Sequence, residues 1–357
     1  MSQRFQPRAV AAVRPDTPDA VIVGFAVDPG LAFRPGQYLT LRAEIGGVAE
    51  QRCYSICSAP GDALVEVAIK RVPGGRFSEW AAASLAPGMT LDVAAPEGRF
   101  GRLGPARGPR RYLAVAAGSG VTPILSLARH ALKSEPDCAF ALLYGNRTTG
   151  SILFRSALDD LKDRYMERFS LIHVLSGEAR DVPLLHGRID GPRLQRLAAA
   201  RLIEPEGADA IFLCGPGEML TNARDALLTA GAPAHVIQTE RFLAAPGAPA
   251  PNPALATAVA ASGAAATVTA IIDGAARAFP MAAGETSVIE AAARAGVELP
   301  SSCRGGMCCT CRARVVAGEA LMAVNYSLEP WEIEAGFVLA CQSRPTGDQL
   351  VLDFDAV

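Results

Sequence analysis

Cys303, Cys308, Cys311 and Cys341 stand in the spacing C-x4-C-x2-C-x29-C. Three thiolates from one loop and a fourth from a distant turn suit a [2Fe–2S] cluster, with soft sulfur ligands on two irons. Gly305 and Gly306 lie inside the loop. A loop that wraps a cluster needs positive φ values and backbone N–H groups turned toward sulfide, and glycine permits both. A structural zinc site is the rival reading, but zinc sites usually pair cysteines as C-x2-C twice. Cys309 sits between ligands, and a residue next to Cys308 cannot easily point at the same iron, so it reads as a packed small side chain. Nine cysteines is an odd number, and four of them crowd into Cys303–Cys311. Such crowding reads as metal binding rather than as a disulfide framework.

Three further segments carry chemistry. Gly118-Ser119-Gly120-Val121-Thr122-Pro123 follows the apolar run YLAVAA (112–117) and opens the amphipathic stretch TPILSLARHALK. Its glycines let a pyrophosphate approach a helix N-terminus, and Pro123 fits the first helical turn. Nearer the N-terminus, Arg52-Cys53-Tyr54-Ser55 closes a strand, and AIKRVPGGRFSEWAA (68–82) sets Gly74 and Gly75 before a helix start. Backbone N–H groups and Ser78 would there face phosphates.

The elements that must hold these residues differ along the chain. VIVGFAV (21–27), YLTLRAEI (38–45) and LVEVAIK (64–70) alternate as short strands divided by Pro-Gly turns, which predicts a small antiparallel barrel. From Pro109 apolar runs alternate with helical stretches: YLAVAA, FALLYG (140–145), FSLIHVLS (169–176), AIFLCG (210–215) and HVIQTE (235–240). That rhythm predicts a doubly wound α/β domain with a parallel sheet and its ligand at the strand C-termini. The stretch AAPGAPAPNPALATAVAASGA then offers little to a core and reads as a Pro/Ala tether. The expected domains are a barrel over 1–106, an α/β domain over 107–243, a linker over 244–264 and a module of ferredoxin size over 265–357.

Taken together these motifs resemble the ferredoxin–NADP reductase superfamily, joined to a C-terminal plant-type [2Fe–2S] ferredoxin of the α+β, β-grasp kind. The resemblance implies FAD on the barrel. Tyr54 would lie flat on the isoalloxazine, Ser55 would hydrogen-bond N5 and Arg52 would pair with the pyrophosphate. Ile69, Lys70, Val72, Gly74, Gly75, Arg76 and Ser78 would complete the flavin site. Gly118, Gly120, Thr122 and Pro123 resemble the superfamily's GxGxTP, where the nicotinamide dinucleotide binds. Cys214, Gly215 and Pro216 fall where the family sets a cysteine beside the nicotinamide, and Glu240 and Phe242, in TERF, where the nucleotide domain closes on the flavin. Ser55, Cys214 and Glu240 are thus the expected catalytic set. Arg147, Ser176 and Arg180 are candidates for a ribose 2′-phosphate, which points to NADPH over NADH; Gly177 stands where NADPH-using relatives often carry arginine.

LLYGNR, LLHGRIDGPRL, LCGPGEML and the stretch from Cys303 to Pro345 are similar to the reductase family of phenylacetyl-CoA 1,2-epoxidase, whose partner is a di-iron oxygenase. The implied activity is an NAD(P)H-dependent FAD/[2Fe–2S] reductase passing electrons singly to such an oxygenase in phenylacetate catabolism. Met307, Tyr326 and Trp331 are the candidate partner contacts. Other acceptors (another oxygenase, a hybrid-cluster protein) fit the same build, and a cluster-based redox sensor is the rival of another class. The net charge of −2 gives no electrostatic reason to expect nucleic acid or an anionic membrane. With no signal-like segment and no apolar run of spanning length, a cytoplasmic protein is expected.

Overall fold

The computed structural model describes residues 5–103, 108–242, 266–328 and 330–356. The expected linker lies outside them. The described residues divide into two compact units, one lying within 6–242 and the other within 266–356, with Phe5 and Gln51–Cys53 clustering with the second.

In the first unit β1 (Phe5–Thr17), β2 (Ala20–Ala26), β3 (Tyr38–Ile45), β4 (Val48–Ser55), β5 (Leu64–Lys70) and β6 (Thr90–Ala94) form a sheet in the order β4-β3-β6-β1-β2-β5. β2 and β5 pair antiparallel without a break from Ala20↔Lys70 to Ala26↔Leu64. Successive strand residues point to opposite faces, and both faces here are covered. Val23, Phe25, Val65, Val67 and Ile69 fill the barrel with Phe77 and Ala81 of α1 (Arg76–Ser84). Ala20, Ile22 and Ala68 turn outward into a second core, shared with the next sheet.

That sheet holds β7 (Arg111–Ala117), β8 (Ala139–Asn146), β9 (Phe169–Leu175), β10 (Ala210–Gly215) and β11 (Ile237–Arg241) in the order β11-β10-β7-β8-β9, all parallel. β7 is a continuous apolar run because helices cover both faces. Tyr112, Ala114 and Ala116 pack with Ile124, Leu125 and Ala128 of α2 (Val121–Ser134) and Leu158 of α3 (Arg155–Arg164). Leu113 and Val115 pack with Leu194 and Leu197 of α4 (Gly191–Ala199) and Leu220, Ala223 and Leu227 of α5 (Gly217–Thr229). Polar contacts tie barrel and parallel sheet: Ser126 Oγ donates to the Ser58 carbonyl at 2.6 Å, and the Asp16 carboxylate accepts the Phe154 N–H at 2.8 Å. Strand order reverses between β7 and β10, so the loops after these two strands open a crevice at the sheet's C-terminal edge.

In the second unit β12 (Ala266–Ile272), β13 (Ala275–Met281), β14 (Arg312–Met322), β15 (Phe337–Leu339) and β16 (Ser343–Asp353) run in the order β13-β12-β16-β14-β15. β12 and β16 pair parallel and the other pairs are antiparallel. This is the β-grasp order. α6 (Val288–Arg294) seats Val288, Ala291 and Ala292 against Val268, Ala270, Leu350 and Leu352. Ser287 caps it by accepting the Glu290 N–H at 3.3 Å, and Glu290 reaches back to the Thr286 N–H at 2.7 Å. α7 (Pro330–Glu334) buries Glu332, which is ion-paired with Arg312, whose guanidinium lies 4.2 Å from the centre of the Phe337 ring.

Candidate functional site

Three residues far apart in sequence meet at the C-terminal edge of β10 and β11. The parallel register places Cys214 opposite Glu240. Ser55, buried at the end of β4, donates from Oγ to Glu240 Oε2 at 3.2 Å, and the Cys214 thiol lies 3.8 Å from the same oxygen. Burial pushes the Glu240 carboxyl up to about 7, against the pull of the Ser55 and Cys214 hydrogen bonds. Burial and then the neighbouring Glu240 push the Cys214 thiol up, so it stays protonated. Phe242 continues the chain with its N–H on the Gly215 carbonyl at 3.0 Å and its ring against the shared core.

A carboxyl raised from 4.5 to about 7 keeps its proton in the folded state where the unfolded chain has lost it. Folding therefore takes up a proton in that window, and stability falls as pH rises from 4.5 to about 7. Glu240→Gln removes this slope. Discounted for partial exposure, the flavin-free variant gains on the order of 2 kcal/mol over wild type at about pH 8, and little at about pH 4. Urea midpoints at both pH values check this; equal gains at both would refute the shift.

Around the flavin motif Tyr54 packs on Phe77, with ring centres 5.7 Å apart, and Arg52 directs one guanidinium N–H to the Gln51 carbonyl at 2.7 Å. Ile69 is fully buried in the barrel, and Lys70 pairs with Asp19 at 3.4 Å. The loop 72–78 is knit internally. Ser78 Oγ accepts the Val72 N–H and donates to the Gly75 carbonyl, both at 3.1 Å, and Glu79 accepts the Gly74 N–H at 2.9 Å. Arg76 reaches the Ile45 carbonyl at 3.0 Å and Glu50 at 3.4 Å. The Ser78 hydroxyl thus shapes the turn in this structure, where the sequence suggested that it faces phosphate. Gly74 adopts φ +74° with nothing within 4 Å of a Cβ, leaving open space beside the α1 N-terminus.

At the crevice Gly118 has φ +54° and its carbonyl accepts the Tyr144 hydroxyl at 2.9 Å. Thr122 Oγ1 donates to the Ser119 carbonyl at 2.9 Å, and Pro123 occupies the first turn of α2. Gly120 has a structural reason that the motif does not disclose: a Cβ there would sit 2.2 Å from the Cys214 carbonyl oxygen. The turn after β7 is pressed against the end of β10. Pro216 caps α5, and its neighbour Gly217 leaves room for Arg241, whose Nη1 would lie 1.9 Å from an added Cβ. Sequence reasoning missed Tyr144 and Arg241, although they stand inside LLYGNR and TERF, because what each side chain approaches is decided only by the fold.

Arg147, Ser176 and Arg180 follow β8 and β9. Gly177 donates to the Arg147 carbonyl at 2.7 Å, and a Cβ on Gly177 would fall 2.9 Å from that oxygen and 3.0 Å from Arg147 Cγ. The lack of a side chain at Gly177 is what lets Arg147 pack this closely on it. Glu178 is held below the usual carboxylate range by the Thr149 hydroxyl and N–H, at 2.6 and 2.9 Å, with Arg180 adding to the effect.

In the second unit the thiols fall into two pairs, Cys303 with Cys308 and Cys311 with Cys341, each in sulfur–sulfur hydrogen-bond contact. No three ligand side chains converge on one metal-ion position among the described residues. Two pairs fit a cluster whose irons take two thiolates each and share sulfides. Backbone N–H groups already face the sulfurs: Gly305, Met307 and Cys308 address Cys303 at 3.4–3.5 Å, and Cys303 and Cys341 address Cys308 and Cys311, both at 3.5 Å. Positive φ at Arg304, Gly306 and Cys309 makes the loop. Cys309 turns its thiol to Ser327 Oγ at 3.0 Å.

Residues 17–101 match the oxidoreductase FAD-binding domain, 114–225 the oxidoreductase NAD-binding domain and 270–346 the 2Fe-2S iron-sulfur cluster binding domain. The chain is 44% identical to one of the subunits of 1,2-phenylacetyl-CoA epoxidase from Escherichia coli, over 99% of this chain and 98% of that one. It belongs to the family of flavin and iron–sulfur oxygenase reductases. The ferredoxin reductase component of 3-ketosteroid-9-alpha-monooxygenase from Mycobacterium tuberculosis is a further relative, 34% identical over 97% of this chain and 95% of that one. Phthalate dioxygenase reductase has the same fold, with a TM-score of 0.60, 23% identity and 98% of each chain covered. The family is that of an oxidoreductase with FAD, NAD and [2Fe–2S] domains, and its members serve as reductase components of oxygenase systems. No helix among the described residues is long and apolar enough to cross a membrane.

Proposed function

We propose that this reductase draws electrons from NADPH and delivers them to a separate di-iron oxygenase that epoxidises an aryl-acetyl-CoA. The observation that carries the reading is the 44% identity to the Escherichia coli phenylacetyl-CoA epoxidase component, which runs through all three domains. When bound, FAD takes two electrons as hydride and the cluster takes one at a time, which is why both groups are needed between nicotinamide and oxygenase.

The chain's own residues bind and orient. Tyr54 supplies a ring for stacking, Ser55 a hydroxyl at the hydride edge, and Arg52 a cation for the pyrophosphate. The open space beside Gly74 leaves room for phosphate at the α1 N-terminus. The turn of Gly118 and Gly120 and the Cys214-Gly215-Pro216 corner flank the crevice where the nicotinamide would enter. Glu240, with its carboxyl near neutrality, holds Ser55 by hydrogen bond and can store a proton at its Oε2. Arg147 and Arg180 are the cations for the 2′-phosphate, and Thr149 keeps the Glu178 carboxylate occupied.

Reconstitution with the di-iron oxygenase complex tests this. Phenylacetyl-CoA should be consumed only when nucleotide, oxygen and the reductase are all present. NADPH should be preferred to NADH in kcat/KM by about tenfold to hundredfold, the worth of one charge-assisted phosphate contact. Electron transfer to a hybrid-cluster protein without transfer to the oxygenase would overturn the partner while leaving the reductase class intact. A preference for NADH would make Arg147 and Arg180 ordinary surface charges.

A further inference from the structure

Most hydrogen bonds to the four ligand sulfurs come from the backbone, so the fold sets them and substitution cannot readily change them. Gln342 is different. Its Nε2 donates to Cys341 Sγ at 3.6 Å and to the Arg304 carbonyl at 2.9 Å. Both acceptors are acceptor-only once Cys341 is a thiolate, so the amide orientation is dictated: turned over, Oε1 would face two lone-pair groups. The side chain is half-buried, and Cys341 beneath it is only 7% exposed. The backbone fits round it. A Cβ on Gly306 would lie 3.1 Å from Gln342 Cγ, and the Gln342 carbonyl accepts the Ala323 N–H at 2.7 Å. Gln342 therefore joins the fourth-ligand turn to the loop of the other three, and points a dipole at one ligand.

We propose that Gln342 is a positioning residue that sets the reduction potential of the [2Fe–2S] cluster through Cys341. This rests on reading the four cysteines as the cluster's ligands. Reduction adds one electron, and part of the added charge falls on the cysteine sulfurs. A donor aimed at such a sulfur stabilises the reduced form more than the oxidised one, and so raises the potential. The low local dielectric at a buried sulfur strengthens the effect. The consequence is functional: a higher potential makes the cluster easier to reduce from the flavin, and a lower one makes it a stronger donor to the acceptor.

The test is the midpoint potential of the full-length holoprotein, followed by EPR of the reduced cluster, in Gln342→Leu and Gln342→Lys. Leu keeps the volume and removes the donor, so the potential should move negative. Lys keeps a donor and adds positive charge, so it should move positive. Iron and acid-labile sulfide per chain are measured alongside. A purely structural Gln342 would lower cluster content or hasten bleaching in air without moving the potential of the clusters that remain. A wild-type potential in either variant overturns the proposal, and if Leu fails to load, Lys alone decides. A wild-type chain without iron and sulfide would instead overturn the ligand reading beneath it.

Discussion

Cys308→Ser and Cys341→Ser should each cost the protein most of its [2Fe–2S] absorbance, while Cys309→Ser keeps it. Cys308 belongs to one thiol pair and Cys341 to the other, so either change leaves one iron with a single cysteine sulfur. A serine hydroxyl is a harder and less acidic ligand, and iron–sulfur sites select soft thiolate. Cys309 stands on a left-handed residue, φ +57°, and its thiol is engaged by Ser327. Serine can make the same contact with a hydroxyl. Cytochrome c reduction should drop roughly a hundredfold or more in the two ligand variants, beyond what loss of a supporting contact produces. Ferricyanide, which can take electrons from flavin directly, should still be reduced. Loss of the cluster in Cys309→Ser with retention in Cys308→Ser would reverse the assignment.

Gly120→Ala should be the most damaging single methyl group in the nucleotide half. The added carbon falls 2.2 Å from the Cys214 carbonyl oxygen, 2.6 Å from its carbon and 2.9 Å from Gly215 N, all backbone atoms at the end of a central strand. No flexible side chain can give way. Relief requires the turn after β7 to separate from β10, at a cost of about 3 kcal/mol, the upper part of the overpacking range. The same movement spreads the two loops that flank the crevice, and NAD(P)H kcat/KM should fall by about a hundredfold. Gly118→Ala is the control. Its Cβ meets nothing within 4 Å, and only the strain of φ +54° remains, roughly 1 kcal/mol. If the two alanines were equally mild in thermal melts and nucleotide titrations, the close packing of the turn on Cys214 would not be what requires Gly120.

Much of the architecture was legible because period and punctuation are local properties. VIVGFAV and LVEVAIK alternate for a barrel whose two sides are both packed. YLAVAA is unbroken because helices lie on both faces of β7. Three soft ligands within a few residues and one distant partner leave few chemistries open, so the cluster loop could be read before any fold was known.

What the sequence by itself determined was the set of domains, their order, and the cofactor chemistry that their motifs match. Tertiary structure decided which residues meet. Ser55, Cys214 and Glu240 come from three segments, and only the strand order β11-β10-β7, with the barrel packed alongside, sets them around one carboxyl. The need for Gly120 lies in a carbonyl from Cys214, far along the chain, and that for Gly177 in the close approach of Arg147. Ser78 spends its hydroxyl on its own turn, a choice that depends on where the Val72 N–H ends up. Gln342 faces Cys341 only because the turn after β15 brings it over Arg304. Side-chain type and spacing are written along the chain, whereas hydrogen-bond partners and close approaches depend on through-space distances that exist only once the strands have paired.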